Sequence, residues 1–322
     1  MRAVRFHETG GPEVLQLEDV EDPRPGPGEV LVEVAAAGVN FIDTYQRSGS
    51  YPMDLPSGLG LEGSGVVRAV GEGVEHRREG ERVAWTDQLG SYAQLVAVDA
   101  DRTVSVPDDV DLDVAAALML QGLTAHYLSS STYKLGSDDT ALVYAAAGGV
   151  GRLLVQLAKR REARVLACTS TDEKEAEARR LGADEVIRYR DVDIAKTVRE
   201  LTDGHGVDVV YDSVGADTWE SSLDSLRPRG MMVLYGASSG PVPPQDPQIF
   251  NKKGSLFFTR PTLFHHVADR DTLEWRAGAL FELVGQGQLE VHVHDRYPLD
   301  QVQQAHIDLE SGRTAGKLLL VP

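Results

Sequence analysis

From residue 140 onward the chain alternates between short apolar runs and segments of helical length. The runs lie at 141–145, 164–168, 185–187, 207–211 and 231–235, and helix-like segments at 150–161, 174–181, 194–201 and 219–226 separate them. Hairpins cannot have connections this long. Strands joined by helical crossovers lie parallel, and a parallel sheet needs both faces covered. The expected architecture is therefore α/β, with a doubly wound parallel sheet. A further β-prone run, 255–259, is expected at the sheet edge.

The first turn of that pattern reads Ala145-Ala146-Ala147-Gly148-Gly149-Val150-Gly151. It follows an apolar strand and opens a helix, the context in which a glycine-rich loop signals a dinucleotide site. Small residues let the backbone approach a pyrophosphate, and the helix N-terminus offers free N–H groups to it. Ala146 stands where the fingerprint carries its first glycine.

An NAD site places an acid at the tip of the second strand. Here the tip reads Ala167-Cys168-Thr169-Ser170, with Asp172 and Glu173 just beyond it. Ser170-x-x-Glu173 has capping-box spacing, which gives these acids an ordinary structural role. Lys174 is one of only seven lysines, and Arg188-Tyr189-Arg190 follows the third strand. Hydroxyls and cations at these positions suit a 2′-phosphate, which favours NADPH over NADH.

The first third has a different grammar. Residues 1–35 read as two strands around the break Glu21-Asp-Pro-Arg-Pro-Gly-Pro-Gly28. Short β-type runs and many glycines fill 58–100. This part is expected to be a β-rich barrel. After 265 the tail offers a helix at 272–286, a strand at 289–293, a helix at 299–311 and a strand at 317–321, which suit a return to the first domain. The division expected is 1–122 with 266–322, and 123–265.

A net charge of −18 disfavours binding to nucleic-acid backbones. No run of about 18 apolar residues predicts a membrane span. The N-terminus has no apolar signal core, and Cys168 is the only cysteine, so a cytoplasmic protein is expected. A catalytic zinc needs about three protein ligands, and Gly60-Leu61-Glu62-Gly63 carries leucine where a zinc enzyme has a histidine. His292/His294 and His265-His266 supply no such set. Redox chemistry by direct transfer from a nicotinamide remains, with an acceptor that is itself electrophilic, such as a quinone or an enone.

The segments Gly38-Val-Asn-Phe-Ile-Asp-Thr-Tyr-Gln-Arg-Ser-Gly49 and Tyr51-Pro52 resemble the zinc-free NADPH:quinone oxidoreductases. These are the ζ-crystallin-like branch of the medium-chain dehydrogenase/reductase superfamily. Gly58–Gly73, Gln121-Gly-Leu-Thr-Ala-His-Tyr127, the 145–151 loop, Val210-Tyr-Asp-Ser-Val-Gly215, Gly236-Ala-Ser-Ser-Gly240 and Gly254-Ser-Leu-Phe-Phe-Thr-Arg-Pro261 extend the resemblance over nearly the whole chain. It implies a Rossmann-type domain with a GroES-like barrel, and an acceptor held in the cleft between domains. Asn40 is then expected near the nicotinamide ribose or the substrate, with Tyr45 and Tyr51 lining the quinone pocket. Thr124 approaches the nicotinamide. Gly148, Gly149, Val150 and Gly151 hold the pyrophosphate, and Ser170, Lys174 and Tyr189 hold the 2′-phosphate. Ser238, Ser239, Gly240, Phe258 and Arg260 border the nicotinamide end. Lys317 is a further cofactor contact, although the tail departs from the bacterial pattern at Gly316-Lys317.

Each role has a plainer rival. Tyr45 and Tyr51 also read as loop aromatics, Asn40 as a turn residue, Asp43 as a helix cap and Arg47 as a solvated charge, and the resemblance favours the functional reading at Asn40 and Tyr45. Two other functions stay open: an NADPH-dependent enone or alkenal double-bond reductase, and a weakly catalytic, crystallin-like NADPH- or RNA-binding protein. The resemblance also implies a homodimer through the edge strand 255–259.

Overall fold

The computed structural model describes residues 1–322. In chain order the strands of the N-terminal part are β1 (Arg2–Phe6), β2 (Gln16–Asp19), β3 (Glu29–Val39), β4 (Ser57–Gly58), β5 (Glu62–Val70), β6 (Arg82–Thr86), β7 (Leu95–Asp99) and β8 (Thr103–Ser105). Its helices are α1 (Phe41–Arg47) and α2 (Leu112–Leu118), followed by α3 (Gln121–Tyr127). The middle holds β9 (Thr140–Val143), α4 (Gly149–Arg160), β10 (Arg164–Thr169), α5 (Asp172–Arg180), β11 (Glu185–Arg188), α6 (Ile194–Leu201), β12 (Val207–Asp212), α7 (Trp219–Ser225), β13 (Leu226–Leu234), α8 (Gln248–Lys252) and β14 (Phe257–Thr259). The tail adds α9 (Arg270–Gly285), β15 (Val293–Pro298), α10 (Val302–Glu310) and β16 (Lys317–Val321). No helix is long and apolar enough to cross a membrane.

The chain divides into two units, Met1–Leu123 with His266–Pro322, and Thr124–His265. The second unit is a six-stranded sheet in the order β11-β10-β9-β12-β13-β14, parallel throughout. Its central strands bury Leu142, Leu166, Val210 and Met232, since helices cover both faces. Helix α4 turns Leu153, Leu154 and Leu157 inward, at the spacing of one helical face. The strand order reverses between β9 and β12, and at such a switch point the carboxyl ends of neighbouring strands splay to leave room for a ligand.

The first unit is β-rich, as its glycine content and short runs predict. A seven-stranded sheet runs β15-β16-β3-β5-β6-β8, with β7 also paired to β3, and a small sheet joins β2, β1 and β4. Its core comprises Val30, Val32, Val34, Trp85, Tyr92, Val98, Leu318 and Leu320, among others. β16 lies between β3 and β15, so the tail completes this unit.

Local departures from the sequence expectations have identifiable causes. Residues 1–35 hold three strand segments rather than two, because the chain turns at Pro12–Val14 before β2. The strand expected at 289–293 forms at Val293–Pro298, where it pairs with β16. The edge strand starts at Phe257 because Ser255 adopts a left-handed conformation, φ 55°.

Arg47 is not the solvated charge its surroundings in sequence suggest. It is 3% exposed, donates two-pronged to Glu310 at 2.9–3.1 Å, and donates to Nδ1 of His306 at 2.9 Å. Burial and the guanidinium next to it push His306 down to about 3, so the imidazole stays neutral and accepts. This cluster ties α1 to α10. Arg47→Ala is expected to cost roughly 1–3 kcal/mol, the range for charge-assisted hydrogen bonds, read as a lower urea midpoint with an unchanged slope.

Candidate functional site

Five loops leave the carboxyl ends of adjacent parallel strands in the second unit. After β9 comes the glycine turn. Ala145 carries its left-handed residue, φ 48°, and the Gly148 N–H closes the turn on the Ala145 carbonyl at 2.8 Å. Gly148 is the N-cap of α4 and has no side chain to occupy the helix's first N–H groups. At Gly151 a Cβ would lie 2.2 Å from the Ala145 oxygen and 2.8 Å from the Ala146 Cα. Only glycine allows helix and strand to come this close. An open helix N-terminus behind a turn of alanines and glycines fits the pyrophosphate of a dinucleotide.

After β10 and β11 the chain gathers Ser170, Lys174 and Tyr189. The two strands pair Thr169 with Arg188, and the Tyr189 N–H donates to the Thr169 carbonyl at 3.2 Å. The N-cap of α5 is Thr171, whose hydroxyl accepts from the Lys174 N–H at 3.3 Å, so the cap falls one residue later than the Ser170-x-x-Glu173 spacing predicts. Ser170 is left outside the helix. Arg188 is neutralised by Asp172 and Asp191. Arg190 sits over the Tyr189 ring, 6.0 Å from its centroid. Burial and the nearby Arg190 hold the Lys174 ammonium below the usual lysine range. Two cations converging beside a hydroxyl and a phenol suit an anion of the 2′-phosphate type.

After β12, Asp212 accepts from the N–H groups of Val214 (2.7 Å) and Gly215 (3.1 Å), from the Thr218 hydroxyl (2.8 and 2.9 Å) and from the Ser222 hydroxyl (2.7 Å). This fully buried carboxylate fixes the turn that the next loop leans on. The Ser238 N–H donates to the Ser213 carbonyl, and the Ser239 hydroxyl donates to the Val214 carbonyl at 2.8 Å, while Gly240 takes φ 107°. Thr124 is buried in α3. Phe258 stacks on Phe250 (5.3 Å) and meets Trp219 edge-on (5.5 Å), which makes it part of an aromatic cluster at the sheet edge. Arg260 is exposed just beyond that strand.

In the first unit, Tyr45 on α1 and Tyr51 are brought together with ring centroids 5.4 Å apart, and the Tyr51 N–H donates to the Tyr45 carbonyl. Asn40 precedes α1 and is turned inward. Its Nδ2 donates to Glu62 Oε1 (2.7 Å) and the Gly38 carbonyl (3.2 Å), and its Oδ1 accepts from Lys317 (2.7 Å) and Gln121 (3.4 Å). Lys317 also pairs directly with Glu62. The Lys317 ammonium, expected at the cofactor, is thus engaged inside the barrel, because a fully buried carboxylate there requires a counter-charge. No spacing rule pointed to Glu62. The only sequence sign was an acid within a glycine-rich run.

Asp43 behaves as a cap, accepting from the Asn40 N–H at 2.7 Å, and Tyr92 donates its hydroxyl to the same oxygen at 2.6 Å. Burial raises Asp43 to about 7, against the lowering effect of those two bonds and of Lys317. His, Cys, Asp and Glu form no group of three or more able to hold a metal ion.

A parallel-sheet unit with a glycine turn, inserted in sequence into a mainly antiparallel β unit, is the architecture of the medium-chain dehydrogenases/reductases. Residues 26–108 match the alcohol dehydrogenase GroES-like domain, and residues 149–279 match the family described as zinc-binding dehydrogenase. The chain is 45% identical to a quinone oxidoreductase of Pseudomonas aeruginosa, over 100% of this chain and 99% of that one. It is 42% identical to a 2-haloacrylate reductase of a Burkholderia species, over 99% and 98%. The crystal structure of Escherichia coli quinone oxidoreductase complexed with NADPH superposes over 100% of both chains, with a TM-score of 0.98 and 44% identity. The chain belongs to the zinc-free quinone oxidoreductase family of the medium-chain dehydrogenases/reductases.

Asp43 has a thermodynamic signature. With its folded pKa raised, the native state binds the extra proton, so stability is greatest below the unfolded pKa and is lost as pH rises from about 4 to about 7. Asp43→Asn removes that loss. Urea unfolding at pH 5 and pH 8 should show the variant gaining on the parent by a few kcal/mol, on the order of 1.4 per pH unit crossed. A pH-independent difference would show that another group carries the proton.

Proposed function

We propose that this protein reduces quinones with NADPH, passing hydride directly from the nicotinamide to the acceptor. The observation that carries the reading is the Lys174–Arg190 pair of cations beside Ser170 and Tyr189, on the same strand-end row as the Gly148–Gly151 turn. When bound, the cofactor supplies a hydride. The residues of the chain bind, orient and shield. In this reading Gly148, Gly149, Val150 and Gly151 present backbone N–H groups to the pyrophosphate. Ser170, Lys174 and Tyr189 hold the 2′-phosphate, with Arg190 adding charge. Thr124, Ser238, Ser239, Gly240 and Arg260 are assigned to the nicotinamide end, with Phe258 supporting that edge through its aromatic packing. Residues 124–265 thus act as the NADPH-binding domain, and 1–123 with 266–322 as the catalytic domain.

Asn40, Tyr45 and Tyr51 are assigned to the acceptor. The two tyrosines, tilted 55° to each other, offer aromatic faces and edges to a flat substrate, and a hydroxyl or water delivers the proton that accompanies the hydride to the quinone oxygen. Quinone and hydride give the hydroquinone monoanion, and that one proton completes the hydroquinone. Catalysis in this scheme rests on alignment and exclusion of water. An enone substrate is the second reading, favoured by the likeness to a 2-haloacrylate reductase.

The assay is NADPH oxidation with 1,4-benzoquinone and with an enone, NADH run alongside. Faster turnover with the quinone is expected, and a much faster enone reaction would select the second reading. Lys174→Ala should raise KM for NADPH by about 10- to 100-fold and leave that for NADH nearly unchanged. Equal effects on both cofactors would remove the 2′-phosphate role.

We further infer a cytoplasmic homodimer. The edge strand β14 exposes Phe257 (58%) and Phe258 (42%), an uncovered apolar edge of the kind that pairing protects. Phe257→Asp, which spares the Trp219–Phe250–Phe258 stack, should halve the mass seen by light scattering. A parent protein that already runs as a monomer would overturn the dimer.

A further inference from the structure

The Glu62–Lys317 pair is buried to an extent that stability alone does not explain. Glu62 is 0% and Lys317 1% exposed, and apolar side chains of similar size would join the same strands without the desolvation cost of two ions. What charges add is direction. Lys317 donates to Oδ1 of Asn40 and Glu62 accepts from Nδ2. Turning the amide over would set its oxygen against a carboxylate and its nitrogen against an ammonium, so one orientation is selected. The same carboxylate accepts the Leu120 N–H, and Gln121 reaches the Asn40 oxygen at 3.4 Å, which ties the junction before α3 to the junction before α1. Space for this is cut at Gly38, where a Cβ would lie 2.2 Å from Glu62 Oε1 and 2.7 Å from Lys317 Cε. The four junctions involved are far apart in sequence: 38–40, 62, 120–121 and 317.

We propose that Glu62 and Lys317 are positioning residues for quinone reduction: their ion pair fixes the orientation of the Asn40 side chain and locks the 120–121 junction to it. The proposal rests on the reading above that Asn40 serves the nicotinamide or acceptor end. Neither charge touches the reactants. They act through Asn40, and Asp43 supplies the second carboxylate that faces the same ammonium.

The test uses the full-length protein and three variants: Asn40→Leu, Glu62→Gln, and the double variant Glu62→Gln/Lys317→Met. The double variant removes both charges together, so no ion is left buried without a partner, and it should unfold near the parent's temperature. NADPH affinity, read by fluorescence titration, should stay within about threefold, while kcat with 1,4-benzoquinone falls roughly tenfold or more and KM for the quinone changes little. Glu62→Gln leaves Lys317 facing Asp43, which ionises more readily once the Glu62 charge is gone, and serves if the double variant does not fold; the same selective fall in kcat is expected of it. A folded charge-free variant with parental kcat, beside a slow Asn40→Leu, would overturn the positioning role and leave the reading of Asn40 intact. Parental kcat in Asn40→Leu would overturn that reading, and the positioning role with it.

Discussion

The parallel-sheet unit depends on one close approach. At Gly151 the first turn of α4 lies against the backbone of the preceding strand turn, with no room for even a methyl group. That contact places the helix N-terminus directly above the carboxyl end of β9. The other loops then fall into line, because parallel pairing fixes the ends of β10, β11 and β12 relative to β9. A phosphate site of this kind is built from backbone, so it costs no side-chain ordering on binding. In the function proposed above, discrimination is left to side chains, at Ser170, Lys174 and Tyr189.

The β-rich unit solves a different problem. Its core encloses Glu62, Lys317, Asp43 and Arg47, none more than 3% exposed. Two carboxyl groups face one ammonium, and burial, with a smaller push from Glu62, makes Asp43 hold its proton to about pH 7. Arg47 is served separately by Glu310 and the neutral His306. Each buried charge therefore has an answer in a side chain from another segment, as a medium of low polarity demands. The donors and acceptors around Asn40 leave its amide only one comfortable orientation.

Much of the parallel unit was legible in the sequence, since both of its signals are local. Apolar runs at helix-length intervals reveal the sheet, and a turn of alanines and glycines between strand and helix reveals the dinucleotide loop. Resemblance added the order of domains and the candidate residues around Asn40 and Tyr45. Neither source revealed the buried charge network. Lys317 and Asn40 are separated by 277 residues, and Arg47 and Glu310 by 263, so no periodicity connects them. Arg47 looked solvated because a helix-end arginine usually is, and Lys317 was expected at the cofactor only through the resemblance, whose pattern the chain leaves at Gly316-Lys317. The α5 cap slipped by one residue for a simpler reason: Ser170 and Thr171 are both good caps, and only the strand pairing of Thr169 decides which is left to fill the role.

The place of β16 has a consequence for how the molecule is made. This strand lies inside its sheet, between β3 and β15, although it is synthesised some 280 residues after β3. While a ribosome is still translating the middle of the chain, β3 lacks that neighbour and Glu62 lacks its ammonium. Residues 124–265, whose strands all pair among themselves, have every partner they need as soon as they emerge. All strands of the parallel sheet can therefore be paired before the last strand is made, whereas the sheet of the β-rich unit lacks an inner strand until translation passes residue 317.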